Sequence, residues 1–384
     1  MSPTVRALVG LVLWLSFQTA PAASDCSRIV AVGDLHGGYD SLRSVLAESG
    51  LVGDDHRWQS EDACLVLLGD LVDRGERTRE LLDYVMELEN QADGRLHVVI
   101  GNHEIMNVVG DLRYVTAAEF AAFAGDETKK QRQKGYNAFA KSRAVRQMDR
   151  GQRKDAFDGE FPLGWFALRQ AFSPDGEYGA WILSKPVLLK LDGTLFVHGG
   201  VEPSVTSLDL DRLNEEIVAE IVEYERLRER LVQAGWLSPL VPFGAAFSVV
   251  EEKLSPVDDV SEPFGTGAER EMAKRFVGLK GAWFVRSDGP LWTRRLAVED
   301  EEALEGTLDR MLAELGVDRI VVGHTTQDDF RIRARFDGRV FLIDTGAGPA
   351  YGGQASALEI SGGSVRAVYL DGVEVLVGAP DALP

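Results

Sequence analysis

The sequence predicts an α/β protein: an α-β-β-α sandwich of two mixed sheets flanked by helices and interrupted by helical insertions. Three observations predict it. Five short runs rich in Val, Ile and Leu each end in a polar, ligand-type residue beside glycine; amphipathic helical stretches lie between them; and closely spaced turn signals follow residue 324.

The first run, Arg28 to Asp34 (RIVAVGD), is continuously apolar, as strands buried on both faces are. Asp40 is then placed to cap a helix with Leu42, Val45 and Leu46 on one face, ending before Gly50. Cys64 to Asp70 (CLVLLGD) gives the second strand. Leu81, Leu82, Val85 and Leu88 form the next helical stripe, and His97 to Asn102 (HVVIGN) the third strand. Two long stretches, at about 105–185 and 203–290, interrupt this alternation on either side of Leu195 to Gly200 (LFVHGG). The second contains a helical span, Asp209 to Trp236, and a linker-like patch rich in Pro and acid, Glu251 to Pro263. A helix carrying Leu304, Leu308, Met311, Leu312 and Leu315 stops at Gly316 and leads into Arg319 to His324 (RIVVGH). Beyond it, Asp337-Gly338, Gly362-Gly363 and Asp371-Gly372 separate the runs Arg339 to Asp344, Ala357 to Ile360, Val365 to Leu370 and Val373 to Val377. These read as antiparallel hairpins belonging to a second, mixed sheet.

Composition narrows the function. The 384 residues include 61 acidic and 41 basic side chains, a net charge of −20, with 45% hydrophobic residues. That apolar fraction excludes disordered and collagenous chains. The charge argues against general binding to nucleic acid or to an anionic membrane, both of which need a positive surface. At the N-terminus, Arg6, the apolar run Ala7 to Phe17 and the small residues Ala20-Pro21-Ala22-Ala23 have the layout of a secretory signal peptide over residues 1–23. The expectation is a catalytic domain at 24–384, exported to the periplasm or secreted, with an uncleaved anchor as the alternative. No other run approaches 18 apolar residues, so no stable span is expected in the mature chain. Cys26 and Cys64 stand at or just before the starts of the first two strands. An oxidising compartment permits a bridge, and two buried thiols are the other possibility.

The chemistry lies at the strand ends. Asp34, His36, Asp70, Asn102, His198 and His324 follow five strands, beside Gly33, Gly69, Gly101, Gly199 or Gly323. In parallel α/β sheets the ligand crevice opens at that edge. Mixed nitrogen and oxygen donors suit Mn, Fe or Zn better than Ca or Mg. Six donors exceed one tetrahedral zinc and suit two metals roughly 3.5 to 4 Å apart sharing a carboxylate, the arrangement that clamps both oxygens of a phosphoryl transfer. Singly, an Asp after a strand is often a turn residue and a His often structural; six in this order at strand ends are not accounted for that way. His56 and His97 fall outside these blocks and read as structural, while Trp165, Trp181, Trp283 and Trp292 read as packing residues.

GDLHG (Gly33 to Gly37), GDLVDRG (Gly69 to Gly75), GNHE (Gly101 to Glu104), the HGG at His198 and the GH at Gly323-His324 resemble the metal-binding blocks of calcineurin-like metallophosphoesterases, specifically the PPP-type phosphoprotein phosphatases. The GPLWTR segment (Gly289 to Arg294) and TGAGPAYGG with SALEI (Thr345 to Gly353, Ser356 to Ile360) look most like the bacterial-origin, Shewanella-like branch. The SAPNYC loop of the eukaryotic Ser/Thr enzymes is missing. The resemblance implies the metallophosphoesterase fold and two divalent metals, Mn favoured over Fe or Zn. Asp34, His36 and Asp70 would hold one, and Asp70, Asn102, His198 and His324 the other. It implies hydrolysis of phosphomonoesters on phosphoproteins or phosphopeptides, Tyr or Ser/Thr, by a metal-bridging hydroxide. His103, paired with Asp73, would act as general acid, and Arg74, Arg294 and Tyr351 would border the phosphate. The alternatives are a hydrolase of small phosphate compounds such as nucleotides or dinucleotide polyphosphates, and a catalytically inactive metal-binding protein.

One charge run opposes the global balance. Lys129 to Lys154 holds ten basic residues and a single acid, Asp149. It lies where a lid would be expected, and it reads either as a solvated helical face or as a funnel for anionic phosphosubstrate.

Overall fold

The computed structural model describes residues 26–255 and 264–378. Residues 1–23, read from sequence as a signal peptide, and the 256–263 part of the linker-like patch lie outside the described residues.

Three parallel strands, β1 (Arg28–Val32), β2 (Ala63–Leu67) and β3 (Leu96–Val98), open the first sheet. The second sheet takes β4 (Leu188–Leu191), β5 (Thr194–Val197), β6 (Arg319–Val322), β7 (Arg333–Arg335) and β8 (Val340–Leu342) in the order β4-β5-β6-β8-β7, with β5, β6 and β8 parallel. The chain then returns to the first sheet through β9 (Ser356–Ser361), β10 (Ser364–Tyr369) and β11 (Gly372–Val377), giving β11-β10-β9-β1-β2-β3. The expected strands therefore form, but the terminal hairpins extend the first sheet instead of building the second. β9 pairs antiparallel with β1, Arg28 opposite Ser361, and covers what would otherwise be an open edge of a strand that is apolar from Ile29 to Val32. The strands missed from sequence, β4 and β7, are charged edge strands (LLKL and RAR) whose composition lacks the buried-strand signature.

The period of two divides the core. Val30, Val32, Leu65 and Leu67 face the helices, whereas Ile29, Ala31, Val66 and Leu68 meet Phe196, Val321 and Phe341 of the other sheet. Helices α1 (Tyr39–Glu48) and α2 (Thr78–Gln91) bury the expected leucine stripes. Asp40 does not cap α1: Gly38 holds the cap position, and the Asp40 carboxylate instead accepts from Arg77 at 2.7 and 2.8 Å.

The first insertion continues α3 (Asn102–Val109) into α4 (Ala117–Ala122), α5 (Lys129–Phe139), α6 (Arg150–Glu160), α7 (Trp165–Ala171) and α8 (Glu177–Ile182). Phe139, Val145, Phe157 and Phe161 give α5 and α6 a small core of their own. The second insertion holds α9 (Pro203–Thr206), α10 (Leu210–Gln233), α11 (Phe243–Leu254) and α12 (Gly267–Gly278). Asp209 caps α10 by accepting from the Arg212 N–H at 3.0 Å. Short α13 (Arg295–Val298) precedes α14 (Glu301–Leu315), which ends on a left-handed Gly316. Cys26 and Cys64 form a disulfide, Cα to Cα 5.6 Å, tying the segment before β1 to β2. Among the described residues no helix is long and apolar enough to cross a membrane.

Candidate metal centre

The parallel strands of both sheets end at one place. Asp34, Asp70 and Asn102 follow β1, β2 and β3; His198 and His324 follow β5 and β6. The first sheet thus delivers the oxygen donors together with His36, and the second adds two imidazoles. Close backbone approach makes this possible: a Cβ on Gly69 would lie 2.3 Å from the Gly101 nitrogen, and one on Gly323 would lie 2.4 Å from Asp34 Oδ1.

Two groups of buried donors result, His36 with Asp70 and His103, and Asp70 with His198 and His324; within each, one donor atom per residue lies within 4.8 Å of the others. Asp70 belongs to both. Its Oδ2 is 3.3 Å from His198 Nε2, 3.7 Å from His36 Nε2 and 3.9 Å from His103 Nε2. Asn102 Oδ1 and His324 Nδ1 stand 2.9 and 3.2 Å from that same His198 nitrogen. Asp34 is in neither group. Its carboxylate accepts from the His324 N–H at 3.0 and 3.2 Å, and burial, with Asp344 beside it, raises its pKa well above the ordinary value.

Hydrogen bonds to backbone fix the rings. The Leu68 and Val72 carbonyls only accept, so His198 and His36 donate to them from Nδ1, each at 2.8 Å, and turn Nε2 inward. A neutral His198 then points a lone pair at a carboxylate oxygen, an amide oxygen and a second imidazole nitrogen. Such a set of acceptors requires a positive charge at its centre, either a second proton or a metal cation. Although burial opposes protonation, Asp70 and Asp34 raise His198 to about 10. Burial would likewise raise Asp70, but the His198 and His103 rings hold it well below the usual carboxylate range. His36 is pushed down to about 4 by burial and stays neutral. The acceptors that favour a proton on His198 would equally favour a divalent cation at the shared carboxylate.

Beside the donors, Asp73 Oδ2 accepts from His103 Nδ1 at 2.6 Å, and Asn107 Nδ2 donates to Asp73 Oδ1 at 2.8 Å. Burial alone would lower His103, but Asp70 and the Asp73 bond outweigh it and raise its pKa. Arg74 donates to His36 Nε2 at 3.1 Å and to the Tyr351 hydroxyl, and Tyr351 stacks on His36 with centroids 5.4 Å apart. Arg294 lies by the second donor group and donates to the His324 carbonyl and, at 2.9 Å, to Thr325 Oγ1. It borders a cavity of about 330 Å³ with His324, Trp292, Phe284, Met106 and Arg113. No residue of the basic run lines that cavity, so the expected lid is instead a lobe with a pocket of its own.

Backbone strain concentrates here. His36, Asp70, Asp73, Arg74 and His324 have φ of 43°, 50°, 67°, 63° and 64°, a left-handed region that non-glycine residues rarely occupy. What holds them was missed from sequence. Glu104, wholly buried, accepts from the N–H groups of Asp70, Leu71 and Gly101 at 2.7, 2.8 and 2.9 Å. Glu119 of α4 accepts from the Asp73 N–H at 3.0 Å, from the Thr78 hydroxyl, and from the Thr116 N–H at 2.7 Å. Asp344 ends β8 as Asp34 ends β1, a repeat of the strand-end pattern that could have revealed it. Asn107, one helical turn after His103, was visible by spacing. Glu119, and Tyr114, whose ring lies 5.1 Å from that of His103, sit in the insertion without a motif.

The calcineurin-like phosphoesterase family matches residues 27–328. The chain is 30% identical over 207 residues to Shewanella-like protein phosphatase 2 of Arabidopsis thaliana, half of each chain. It is 23% identical over 327 residues to Shewanella-like protein phosphatase 1 of Plasmodium berghei, 83% of this chain and 67% of that one. Its fold is shared with a solved cold-active protein-tyrosine phosphatase of a psychrophilic Shewanella species: TM-score 0.58, 22% identity, 91% of this chain and 80% of that one.

Proposed function

The chain belongs to the calcineurin-like phosphoesterase family, and from that premise we propose that it is a metal-dependent phosphatase of phosphoproteins or phosphopeptides, carried to its site of action by export. The observation that carries the reading is the convergence of His36, His198 and His324 on Asp70, with the His103–Asp73 pair beside them. Asp70 would be shared, Asp34 and His36 would complete one site, and Asn102, His198 and His324 the other. Two divalent metals held there would supply charge neutralisation for the phosphoryl group and activation of water. The mixed nitrogen and oxygen donors suit Mn, Fe or Zn, with Mn our preferred candidate.

The remaining work falls to side chains. Arg74 offers a planar fork to phosphoryl oxygens, and Tyr351 fixes its direction by accepting one N–H. Arg294 is available to a second oxygen from the His324 side. His103 carries a proton on Nδ1 for Asp73 and presents Nε2 toward Asp70, where a protonated ring can donate to the departing oxygen. Asp73 holds that ring in place. Export rests on the Arg6 to Ala23 layout, and the Cys26–Cys64 bridge suits an oxidising compartment.

The test is turnover of p-nitrophenyl phosphate, followed by a panel of phosphotyrosine, phosphoserine and phosphothreonine peptides, nucleotides and dinucleotide polyphosphates. Chelator-sensitive activity greatest on phosphopeptides is expected. A preference for dinucleotide polyphosphates would overturn the protein-substrate reading, and metal binding without turnover on any ester would overturn the enzyme. Sequencing the N-terminus of the mature protein should give a start near Ser24; intact Met1 in the envelope fraction would overturn cleavage.

A further inference from the structure

About half of the described cations outside the first insertion form ion pairs. Arg77 pairs with Asp40 and Glu80, Arg286 with Asp288, Arg331 with Glu374, and Arg339 with Glu305 and Asp309. On α5, α6 and the turn between them pairing is scarcer. Lys129, Lys130, Lys134, Lys141, Arg146 and Arg150 are exposed and form no ion pair among the described residues, while Arg132 and Lys154 share Asp158. Residues 129–154 carry about +9 in a chain of −20, so the remainder carries −29. An abundance of acid is therefore present, yet among the described residues the only carboxylates paired with these cations are Asp158 and Glu127.

The cations frame two hollows. Between α5 and α6 lies a pocket of about 520 Å³, a size that takes a large side chain or small ligand. Tyr136 and Phe157, edge to face with centroids 5.3 Å apart, wall it, and Leu163 stands exposed beside them. Lys129 and Arg150 rim it. The nearby Glu127 carboxylate is turned inward, accepting from the Gly164 and Phe166 N–H groups at 3.0 and 3.1 Å. On the other flank of α5, a groove of about 820 Å³ combines Lys130, Lys134 and Lys141 with Val232, Leu237 and Pro239. Helical spacing explains the pair: Lys129 and Tyr136 are seven residues apart on one stripe, as Lys130, Lys134 and Lys141 are on the next.

We propose that the α5–α6 lobe is a docking site for an acid-rich polypeptide segment bearing an aromatic or aliphatic side chain, supplied by the phosphoprotein substrate; the substrate part of this rests on the phosphatase reading. The acids meet the unpaired lysines and the apolar side chain enters beside Tyr136 and Phe157. Charge selects this occupant over other polyanions. A flat anionic membrane or an extended nucleic acid would also press against the strongly acidic remainder of the surface, whereas a short segment meets the lobe alone. The lobe is held firmly to the metal centre: Glu127 ties α5 to α7, and Arg169 of α7 donates to the Asn107 and Val108 carbonyls at the end of α3, each at 3.1 Å. α3 begins with Asn102 and His103, so a docked segment is held in fixed relation to both.

The test is fluorescence anisotropy of a labelled glutamate-rich peptide with a central tyrosine, using the full chain. Combined Lys129→Glu, Lys130→Glu and Lys134→Glu substitution should weaken binding about tenfold or more at low salt and leave kcat/KM for p-nitrophenyl phosphate unchanged. Tyr136→Ala should weaken the tyrosine peptide several-fold and spare an all-glutamate peptide. Undiminished peptide binding by the triple variant would overturn the proposal. So would equal, lysine-dependent binding of single-stranded RNA or of phosphatidylserine vesicles. Anisotropy needs no turnover, so a wild-type chain that binds the peptide but hydrolyses no ester would refute the phosphatase reading and leave the docking site standing.

Discussion

On the α5–α6 lobe six exposed cations have no ion-pair partner among the described residues, while at the strand ends every acid and imidazole is less than a tenth exposed and bonded to its neighbours. Both regions are dense in charge, and burial makes the difference. Removed from water, charged groups must neutralise one another or bind an ion, so the centre is a single coupled network. In water each lysine keeps its hydration, so lobe charges act independently, screened by salt and free to meet a partner. Substitutions should therefore propagate in the centre and add in the lobe.

The largest break should come from Asp70→Asn. Replacing the carboxylate common to both donor groups should empty both sites by metal analysis and lower kcat/KM at least about 10³-fold. Full double occupancy in that variant would end its bridging role. Next, His103→Ala should keep its metals yet lose about 10²- to 10⁴-fold on phosphoserine peptides, whose alkoxide needs a proton, and far less on p-nitrophenyl phosphate. Asp73→Asn should follow the same order more mildly; a loss uniform across leaving groups would reject the acid role.

A smaller effect belongs to Glu119, the insertion residue that holds Asp73. Burial raises its pKa from the ordinary 4.5 to about 7. The folded state therefore binds this proton more tightly than the unfolded one. Its contribution is complete below pH 4.5 and is lost as pH rises through about 7, up to about 3 kcal/mol. Urea unfolding of Glu119→Gln should show a shallower decline over that window than wild type; parallel curves would show that another group titrates. The smallest effect should be in the lobe itself: Lys129→Glu, Lys130→Glu and Lys134→Glu together should leave stability within about 0.5 kcal/mol per site, in the same urea assay.

Positions that announce themselves by local pattern were legible in the sequence. β1, β2 and β6 are short, apolar and closed by glycine, so both strands and strand-end donors could be read directly. What depends on distant elements meeting was not. Nothing near Ser356 says that β9 will flank β1, and nothing near Glu119 says that its carboxylate will hold Asp73. The left-handed backbone of Asp70, Asp73 and Arg74 was equally hidden, because the residue type expected at such angles is glycine. Even the short, charged β7 gave no strand signal, because an edge strand is shaped by what it must avoid.

The pairing of β1 with β9 also dictates when the centre can exist. Arg28 finds Ser361 only after nearly the whole chain has been made, and the donors span Asp34 to His324. Contacts this remote in sequence are late and slow to form, since the loop they close must first be gathered. A chain halted before residue 356 leaves β1 as a bare sheet edge and the first sheet without three of its six strands. A metal site built from these donors would therefore form late, following completion of the polypeptide, after an interval in which the donors exist but are not yet gathered.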